Sequence, residues 1–348
     1  MTIVSCTRFG ASPEGERLKT IEQSPHYSNG EFYNIEPTTV LIEGESKWGI
    51  MWDNMVNPGE NLSPEQKVPT KKTDLRQLPA NEDSVVWLGH SSYFLKLSTL
   101  NILLDPVMSD YASPIPGVIK AFNGTSNYSV ADLPDIDLLF ISHDHWDHLD
   151  YNTISSLKGR VKRFIVPLGV GAHLSEWGVQ PERIIERDWF GEYKISDDVT
   201  SYIVPSRHYS GRAFSQNKTL WGGIVFSTSK RKLFFSGDSG YGSHFKEIAK
   251  RYGPFDLVAL DMGQYDPRWP DIHMTPAQAA MTAAELNTKA LLPAHVARFS
   301  LAQHAWNQPL DQIITESKKY DYRILTPEIG ERVRLDDISI QAFYRWWD

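Results

Sequence analysis

The sequence predicts an α/β fold in which helices cover the faces of β-sheets, and three observations lead to this prediction. Short apolar runs of strand length recur along the chain from residue 84 onward. Helix signals at Asp150 and Thr275 fall between such runs. Residues 91–105 also resemble residues 222–238, since each segment is a strand, a polar turn, an apolar strand and then an aspartate. This repeat indicates two sheets that are built in the same way.

The expected strands are short apolar runs rich in β-branched and aromatic residues, most of them bounded by small polar turns. They cover residues 84–88, 93–97, 100–104, 136–141, 164–166, 201–204, 221–227, 232–235, 256–261 and 290–292. Asp150 is a typical cap for a short helix that ends near Leu157. Thr275 is followed by Pro276 at the first helical position, and this helix ends near Leu286.

Two regions differ in character. Residues 1–83 carry little periodicity, and we expect them to form an N-terminal extension that packs on the core, while residues 84–348 form the catalytic domain. Residues 57–61 and the following run to residue 83 are typical of irregular connections. Trp48, Ile50, Met51 and Trp52 are the apolar exception. We expect these four to pack on the main body, and the alternative is that they line a substrate groove.

Composition excludes several classes of function. The net charge is -8, with 43 acidic and 35 basic residues, so there is no electrostatic reason to bind nucleic acid. No run of apolar residues is long enough to span a bilayer. Cys6 is the one cysteine of the sequence, which excludes an intrachain disulfide and favours a reducing, cytoplasmic location. Lipid attachment at Cys6 is an alternative, although too few residues precede it for a signal peptide. Composition leaves a homo-oligomer open.

The strongest chemical signal is the segment SHDHWDH, residues 142–148, which directly follows a predicted buried strand. In extended backbone, residues i and i+2 point the same way, so His143 and His145 can reach one ion together. Asp147 and His148 come where the chain turns toward the helix, and they can hold a second ion. Three histidines and the candidate ligand Asp147, all within six residues, fit a metal cluster better than a solvated loop.

Four ligands from one segment are too few to complete the coordination of two ions, so further ligands must come from other segments. Three candidates each lie just past an apolar strand, and ligands at strand ends on one rim of a sheet sandwich can converge. The expected ligands are His143, His145 and His208 for the first ion, Asp147, His148 and His295 for the second, and Asp238 as a bridge between both. Imidazole and carboxylate favour two Zn²⁺ ions, and iron or manganese also fits this set.

The pattern His-x-His-x-Asp-His, followed by His, Asp and His, resembles that of the metallo-β-lactamase superfamily. Further motifs are similar to N-acyl phosphatidylethanolamine-hydrolysing phospholipase D and its relatives. These motifs include WLGH at 87–90, GDSGY at 237–241, GPFDL at 253–257 and YDPRW at 265–269. The similarity covers about residues 84–335. It implies a metallo-β-lactamase αβ/βα sandwich of two β-sheets flanked by helices, and a di-zinc phosphodiesterase.

The resemblance also implies roles for individual residues. A metal-bound hydroxide would attack phosphorus with Asp147 orienting it, and His273 or Arg268 would supply the leaving alkoxide with a proton or a cation. With two ions, two carboxylates and one hydroxide, the site carries a charge of about +1 and attracts an anionic small molecule or phospholipid. A phospholipid substrate implies that the protein works at a membrane surface as a peripheral protein.

Two departures from the phospholipase lie near the expected substrate site. The phospholipase has tyrosine where this chain has Trp146, and Gln-His where this chain has Ile272 and His273. We expect this chain to share the metal chemistry of the phospholipase, whereas its lipid specificity does not follow from the resemblance.

Two alternative functions remain at this point. The same nucleophile opens a lactone or cleaves another ester or amide, so a lactonase or another hydrolase of the superfamily is the first alternative. A non-catalytic metal-binding scaffold is the second. His90 follows a strand and is either structural or close to the site. The other histidines lack ligand spacing and are expected to be structural: His26, His173, His244 and His304.

Overall fold

The computed structural model describes residues 6–115, 117–212 and 215–348. It confirms the mixed α/β class, with two large sheets flanked by helices. The strands are β1 Tyr27–Ser28, β2 Glu31–Phe32, β3 Ser84–Gly89, β4 Ser92–Leu97, β5 Leu100–Leu104, β6 Ile136–Phe140, β7 Val161–Pro167, β8 Ile184–Arg187, β9 Glu192–Lys194, β10 Thr200–Val204, β11 Gly211–Arg212, β12 Ser215–Gln216, β13 Gly223–Ser227, β14 Lys232–Phe235, β15 Leu257–Asp261, β16 Ala290–Ala294, β17 Arg323–Ile324 and β18 Arg332–Arg334. The α-helices are α1 Gly15–Ile21, α2 Lys47–Val56, α3 Tyr151–Leu157, α4 Gly171–Glu176, α5 His244–Tyr252, α6 Pro276–Glu285 and α7 Gln308–Ser317.

The two large sheets share one construction. The first has the order β18-β3-β4-β5-β6-β7-β8 and the second has the order β17-β16-β15-β14-β13-β10-β9. In the first, the antiparallel pair β4 and β5 is followed by β6, which runs parallel to β5. In the second, the antiparallel pair β13 and β14 is followed by β15, which runs parallel to β14. This repeat of pairings matches the repeat in the sequence.

The central strands are buried on both faces, which explains why they are continuous apolar runs in the sequence. Along β4, Tyr93 and Leu95 belong to a large core that also contains Phe234 and Leu260 of the second sheet. Phe94 points the other way, into a smaller core that includes residues of α3 and α4. Alternate side chains of one strand thus serve two cores, as the period of two in a strand requires.

The two predicted helix caps are present. Asp150 accepts hydrogen bonds from the backbone amides of Asn152 and Thr153 at the start of α3. Thr275 and Gln278 form a reciprocal capping box at the start of α6, with Pro276 in the first turn. Both helices therefore begin where the sequence predicts.

The N-terminal extension is less irregular than its sequence suggests. Residues 57–83, all of which are described, contain no helix and no strand, in agreement with the prediction. The helix α2 was not predicted, and it begins after Ser46, whose hydroxyl accepts a hydrogen bond from the backbone amide of Gly49 at 3.0 Å. Within α2, Ile50 is buried, but Trp52 is 62% exposed, so the expectation that Trp52 packs on the main body is wrong. The side chains of Cys6, Trp48 and Met51 lie outside the part that the structure describes.

No α-helix in the described ranges is long and apolar enough to cross a membrane. The division of the chain at residue 83 remains a proposal.

One buried ion pair joins the two sheets. Arg231, in the turn between β13 and β14, places Nε 2.8 Å from Oδ2 of Asp83, directly before β3. The two side chains are 7% and 8% exposed. Asp83 also accepts a hydrogen bond from the backbone amide of Ser98, in the turn between β4 and β5. Each sheet thus contributes one partner to a pair that is largely removed from water.

Replacement of Arg231 by alanine should strongly destabilise the fold. It leaves the Asp83 carboxylate buried without its cation, and removing one partner of a buried pair costs about 3–5 kcal/mol. Urea unfolding of the metal-saturated protein measures the change in the free energy of unfolding. Arg251→Ala is the matched control, because Arg251 pairs with Glu247 on the exposed side of α5, and its loss should matter far less. Equal losses for the two variants would show that the Arg231 pair does not hold the sheets together.

Candidate metal centre

The structure brings all seven predicted ligand residues to one edge of the sandwich, where strands end. The segment after β6 carries four of them, and the loops after β10, β14 and β16 carry one each. Their side chains form two groups in which the ligand atoms lie within 4.8 Å of one another. One group contains His143, His145, His208 and Asp238, and the other contains Asp147, His148, His295 and one residue that was not predicted as a ligand, His90.

Asp238 lies between the two groups. Its Oδ2 is 3.8 Å from Nε2 of both His143 and His208. Its Oδ1 is 3.1 Å from Nε2 of His148 and 3.0 Å from Nδ1 of His295. One carboxylate oxygen therefore faces each group, which is the geometry that a bridging ligand requires.

In the first group, three ring nitrogens face one another. Nδ1 of His145 is 2.9 Å from Nε2 of His143 and 3.2 Å from Nε2 of His208. The opposite ring nitrogens are held in place, since His208 Nδ1 donates to the carbonyl of Ile272 at 3.0 Å and His143 Nδ1 contacts the hydroxyl of Ser142 at 2.9 Å. These bonds aim the Nε2 atoms at the centre, as partners beyond a metal's own ligands commonly do.

Burial keeps the three histidines of the first group neutral. It lowers the pKa of His143 and of His208 well below the ordinary value for histidine, and it lowers the pKa of His145 to about 4. The neutral imidazole has a lone pair at the facing nitrogen, and this is the form that binds a metal ion.

In the second group, His148 lies among three carboxylates. Nδ1 of His148 donates to Oδ2 of Asp105 at 2.8 Å, which leaves Nε2 toward the centre. Burial alone would lower the pKa of His148, but the carboxylates of Asp238, Asp147 and Asp105 outweigh it and raise that pKa well above the ordinary value. The carboxylates therefore favour a positive charge at this group, and a bound divalent cation would supply it.

Unsatisfied buried atoms support the same conclusion. Among the described residues, His148 Nε2, Asp238 Oδ1 and His295 Nδ1 are buried and make no hydrogen bond. Buried polar atoms nearly always have a partner, and these three point at one another across the second group. A bound cation would satisfy all three at once, so the clusters are able to bind metal.

His90 lies against the second group, which answers the question that the sequence left open. It is fully buried, and its Nε2 lies 2.8 Å from Oδ2 of Asp147. Nε2 of His295 is 3.1 Å from the same oxygen. His90 therefore fixes one oxygen of Asp147 and acts on the site through this carboxylate.

His273 also reaches the site, and its partner was not predicted. Its Nδ1 lies 2.7 Å from Oδ2 of Asp261, a fully buried carboxylate at the end of β15. The ring centroid is 4.9 Å from that of His295 and 5.1 Å from that of His208. His273 lines the cavity above the two groups. Its Nδ1 is thus engaged and its Nε2 is left for the cavity.

The sequence held a signal for the two carboxylates that were missed as site residues. Asp105 directly follows an apolar strand and Asp261 is the last residue of another, while Asp238 comes three residues after its strand. Asp105 contacts the predicted ligand His148, and Asp261 contacts His273, so an aspartate near the end of an apolar strand also indicates a residue that holds a histidine of the site.

Arg268 is not placed as the resemblance implied. Its guanidinium pairs with Asp266 at 2.6 Å and 2.8 Å and contacts Asp53 and Asn54 of α2 at 3.2 Å each. It does not line the cavity above the metal groups. A role for Arg268 in stabilising the leaving group is therefore not supported by this geometry.

Trp146 has a structural explanation. The guanidinium carbon of Arg212 lies 3.6 Å from the centroid of the Trp146 ring, a close cation–π contact. Arg212 also donates to the carbonyl of Asp144, within the ligand segment, and to that of Leu149, directly after it, at 2.9 Å each. The indole and the guanidinium together brace the loop that supplies four of the seven predicted ligands.

The remaining histidines lie away from the two groups. Buried His173 and His244 contact Asp144 and Ser239, which adjoin predicted ligands in sequence. The Nε2 atom of His304 accepts a hydrogen bond from the backbone amide of Gln264, and His26 packs beside Trp189.

Comparison with known proteins identifies the family. Residues 100–296, more than half of the chain, match the family model described as the Beta-lactamase superfamily domain, and the chain belongs to this superfamily. This assigns the metallo-β-lactamase sandwich and confirms the fold that the resemblance implied. The chain is a metal-dependent hydrolase of this superfamily.

Three relatives show the range of similarity. An uncharacterised protein of Mycobacterium tuberculosis is 36% identical over 94% of this chain and 88% of its own. N-acyl-phosphatidylethanolamine-hydrolyzing phospholipase D 1 of Caenorhabditis elegans is 32% identical over 63% of this chain and 67% of its own. The structure of Igni18, a metallo hydrolase from the archaeon Ignicoccus hospitalis, aligns with a TM-score of 0.56 at 19% identity, over 73% of this chain and 98% of that chain.

Metal content should depend on Asp238 more than on a ligand of one group. We expect about two ions per chain in the wild type, about one in His145→Gln and fewer than one in Asp238→Asn, since Asp238 contacts both groups. Elemental analysis after dialysis gives these numbers. His26→Gln is the control and should keep the wild-type content. Two retained ions in Asp238→Asn would contradict the bridging role.

Proposed function

We propose that this hydrolase cleaves phosphodiesters by attack of water, and that its substrate is a phospholipid or a similar anionic small molecule. One observation carries the proposal. Two ligand groups share Asp238 at the floor of a cavity of about 400 Å³, and His273 stands at the wall of the same cavity. Two-metal sites of this kind are suited to displacement at phosphorus, because they hold both the attacking and the leaving oxygen. The similarity to the nematode phospholipase D supports the choice of substrate.

The seven residues named from the sequence would hold two ions, Zn²⁺ in this proposal, with iron or manganese also compatible with the ligands. When bound, the ions supply Lewis acidity and lower the pKa of a coordinated water to about 7. In this proposal Asp147 holds an ion and also orients the nucleophile. Its Oδ2 faces the second group, 2.8 Å from Nε2 of His90 and 3.1 Å from Nε2 of His295, so Oδ1 is the oxygen that we assign to the attacking water.

His273 is proposed to protonate the leaving alkoxide. Its Nδ1 bonds to Asp261, and this bond fixes the ring orientation. In the cationic ring, which has a proton on each nitrogen, Nδ1 donates to Asp261 and Nε2 carries the proton that is transferred into the cavity. The arrangement of a buried carboxylate, an imidazole and a reacting group is a common way to orient a general acid.

Turnover with defined substrates tests the proposal. The zinc-loaded protein should hydrolyse bis(p-nitrophenyl) phosphate and release phosphatidic acid from an N-acylated phosphatidylethanolamine. A chelator should abolish both activities and Zn²⁺ should restore them, because the ions supply the Lewis acid. Asp238→Asn is the inactive control.

Two outcomes would contradict the proposal. Turnover of lactones without turnover of any phosphodiester would replace the phosphodiesterase by a lactonase and keep the metal centre. Metal binding without any turnover would favour a scaffold.

His273→Gln should separate proton donation from structural support. We expect a loss of roughly 10²-fold or more in kcat for alkyl leaving groups, and a much smaller loss for p-nitrophenol, which leaves without a proton. Metal content should stay at the wild-type value and the variant should fold, because the glutamine amide can still donate to Asp261. Asp261→Asn should show the same dependence on the leaving group. Equal losses for good and poor leaving groups would exclude the role as general acid.

A further inference from the structure

The cavity above the metal groups has two chemically distinct sides. One side is formed by His273 and by five of the seven predicted ligands, namely His145, Asp147, His208, Asp238 and His295. The apolar side includes Val40, Leu41 and Ile50 of the N-terminal extension. These three residues lie outside the matched superfamily domain, which begins at residue 100. We define them as the extension wall.

The extension wall is tied to the loop that carries His273. The backbone amide of Ile42 donates to the carbonyl of Arg268 at 2.9 Å. The guanidinium of Arg268 reaches Asp53 and Asn54 of α2, while Asp266 holds it from the other side. Arg268 thus fixes both the segment before α2 and the helix itself.

A second set of bonds ties the extension to a predicted ligand. The side-chain amide of Asn34 donates to the carbonyl of His208 at 2.7 Å, and its oxygen accepts from the amide of His208 at 3.1 Å. The backbone amide of Thr39 donates to Oδ2 of Asp271 at 2.8 Å. These hydrogen bonds fix the position of the extension relative to the ligand groups. The extension wall is therefore a fixed part of the cavity.

The chemistry of the wall limits what can lie against it. Its three side chains cannot form hydrogen bonds, so a polar substituent that leaves water there loses its partners. An apolar substituent gains about fourfold in binding for each methylene buried. The metal groups take the anionic part of a substrate, and the wall lies within the same cavity.

We propose that Val40, Leu41 and Ile50 determine the specificity of this hydrolase, and that they select anionic esters whose alkyl substituent fills the space against the extension wall. The proposal rests on the proposed function, because it takes the reaction at the metal groups as given. It assigns selection to residues outside the superfamily domain.

A chain-length series tests this assignment. The substrates are p-nitrophenyl alkyl phosphates from methyl to octyl, all below the concentration at which they form micelles. In the wild type, kcat/KM should rise by about fourfold per methylene until the cavity is full. Ile50→Asn should flatten this rise, with a loss of more than about tenfold for octyl and less than about twofold for methyl.

Met55→Asn is the matched control. Met55 lies on the same helix, is 66% exposed and does not line the cavity, so the series should keep its wild-type slope. Leu41→Asn is the second wall variant. Leu41 lies before α2, so its replacement leaves the helix intact, and it should flatten the rise of kcat/KM with chain length even if Ile50→Asn fails to fold. A wild-type slope in a folded wall variant, or an equal loss in Met55→Asn, would overturn the proposal.

Binding separates this proposal from the proposed function. Calorimetric titration of the zinc-loaded protein with methyl, butyl and octyl phosphate measures how the extension wall affects binding affinity, without any turnover. If no phosphodiester is cleaved but octyl phosphate binds more tightly than methyl phosphate, and Leu41→Asn removes that gain, the wall is supported and the phosphodiesterase fails. If phosphodiesters are cleaved and affinity does not depend on chain length, the wall fails and the phosphodiesterase stands.

Discussion

The clustering of five imidazoles and the Asp147 carboxylate around Asp238, in a largely buried site, is the constraint on which the rest of the site depends. Burial disfavours charge, and it keeps the pKa of His143 well below its ordinary value. Three neighbouring carboxylates act in the opposite direction on His148 and raise its pKa well above the ordinary value. A divalent cation suits both groups, because it binds the lone pairs of neutral imidazoles and offsets the charge of the carboxylates.

The fold meets this constraint by duplication. Each sheet contains an antiparallel pair followed by a parallel strand, and each pair ends in an aspartate at the same edge. Asp238 faces the ligand groups directly, whereas Asp105 stands behind His148 and orients its ring. One structural repeat therefore supplies both a proposed ligand and the support of a ligand. The same edge receives Asp261 from β15, which orients His273.

The sequence predicted those parts of the fold and the site that depend on local spacing. The central strands could be recognised because burial on both faces makes them continuous apolar runs. The seven proposed ligands could be recognised because each follows such a run and because residues 142–148 concentrate imidazole and carboxylate. Contacts between distant segments left no local pattern. Asp261 meets His273 across a loop, and Arg268 meets Asp53 across 215 residues of sequence, so the sequence indicated neither of these two pairings.

The structure also separates two tasks between two parts of the chain. All seven proposed ligands and His273 lie within residues 100–296, so the superfamily domain contains every group that the proposed chemistry requires. The extension contributes no ligand among the residues that the structure describes, yet Asn34 holds both backbone groups of His208 and α2 brings Ile50 to the cavity. A change in the extension wall alters what the cavity accepts while the ligand groups keep their partners. In the same way, a change at Asn34 acts on the position of a proposed ligand without touching the substrate. In this arrangement one type of metal centre can act on esters with different substituents, because the residues that set specificity are separate from the residues that hold the metal ions.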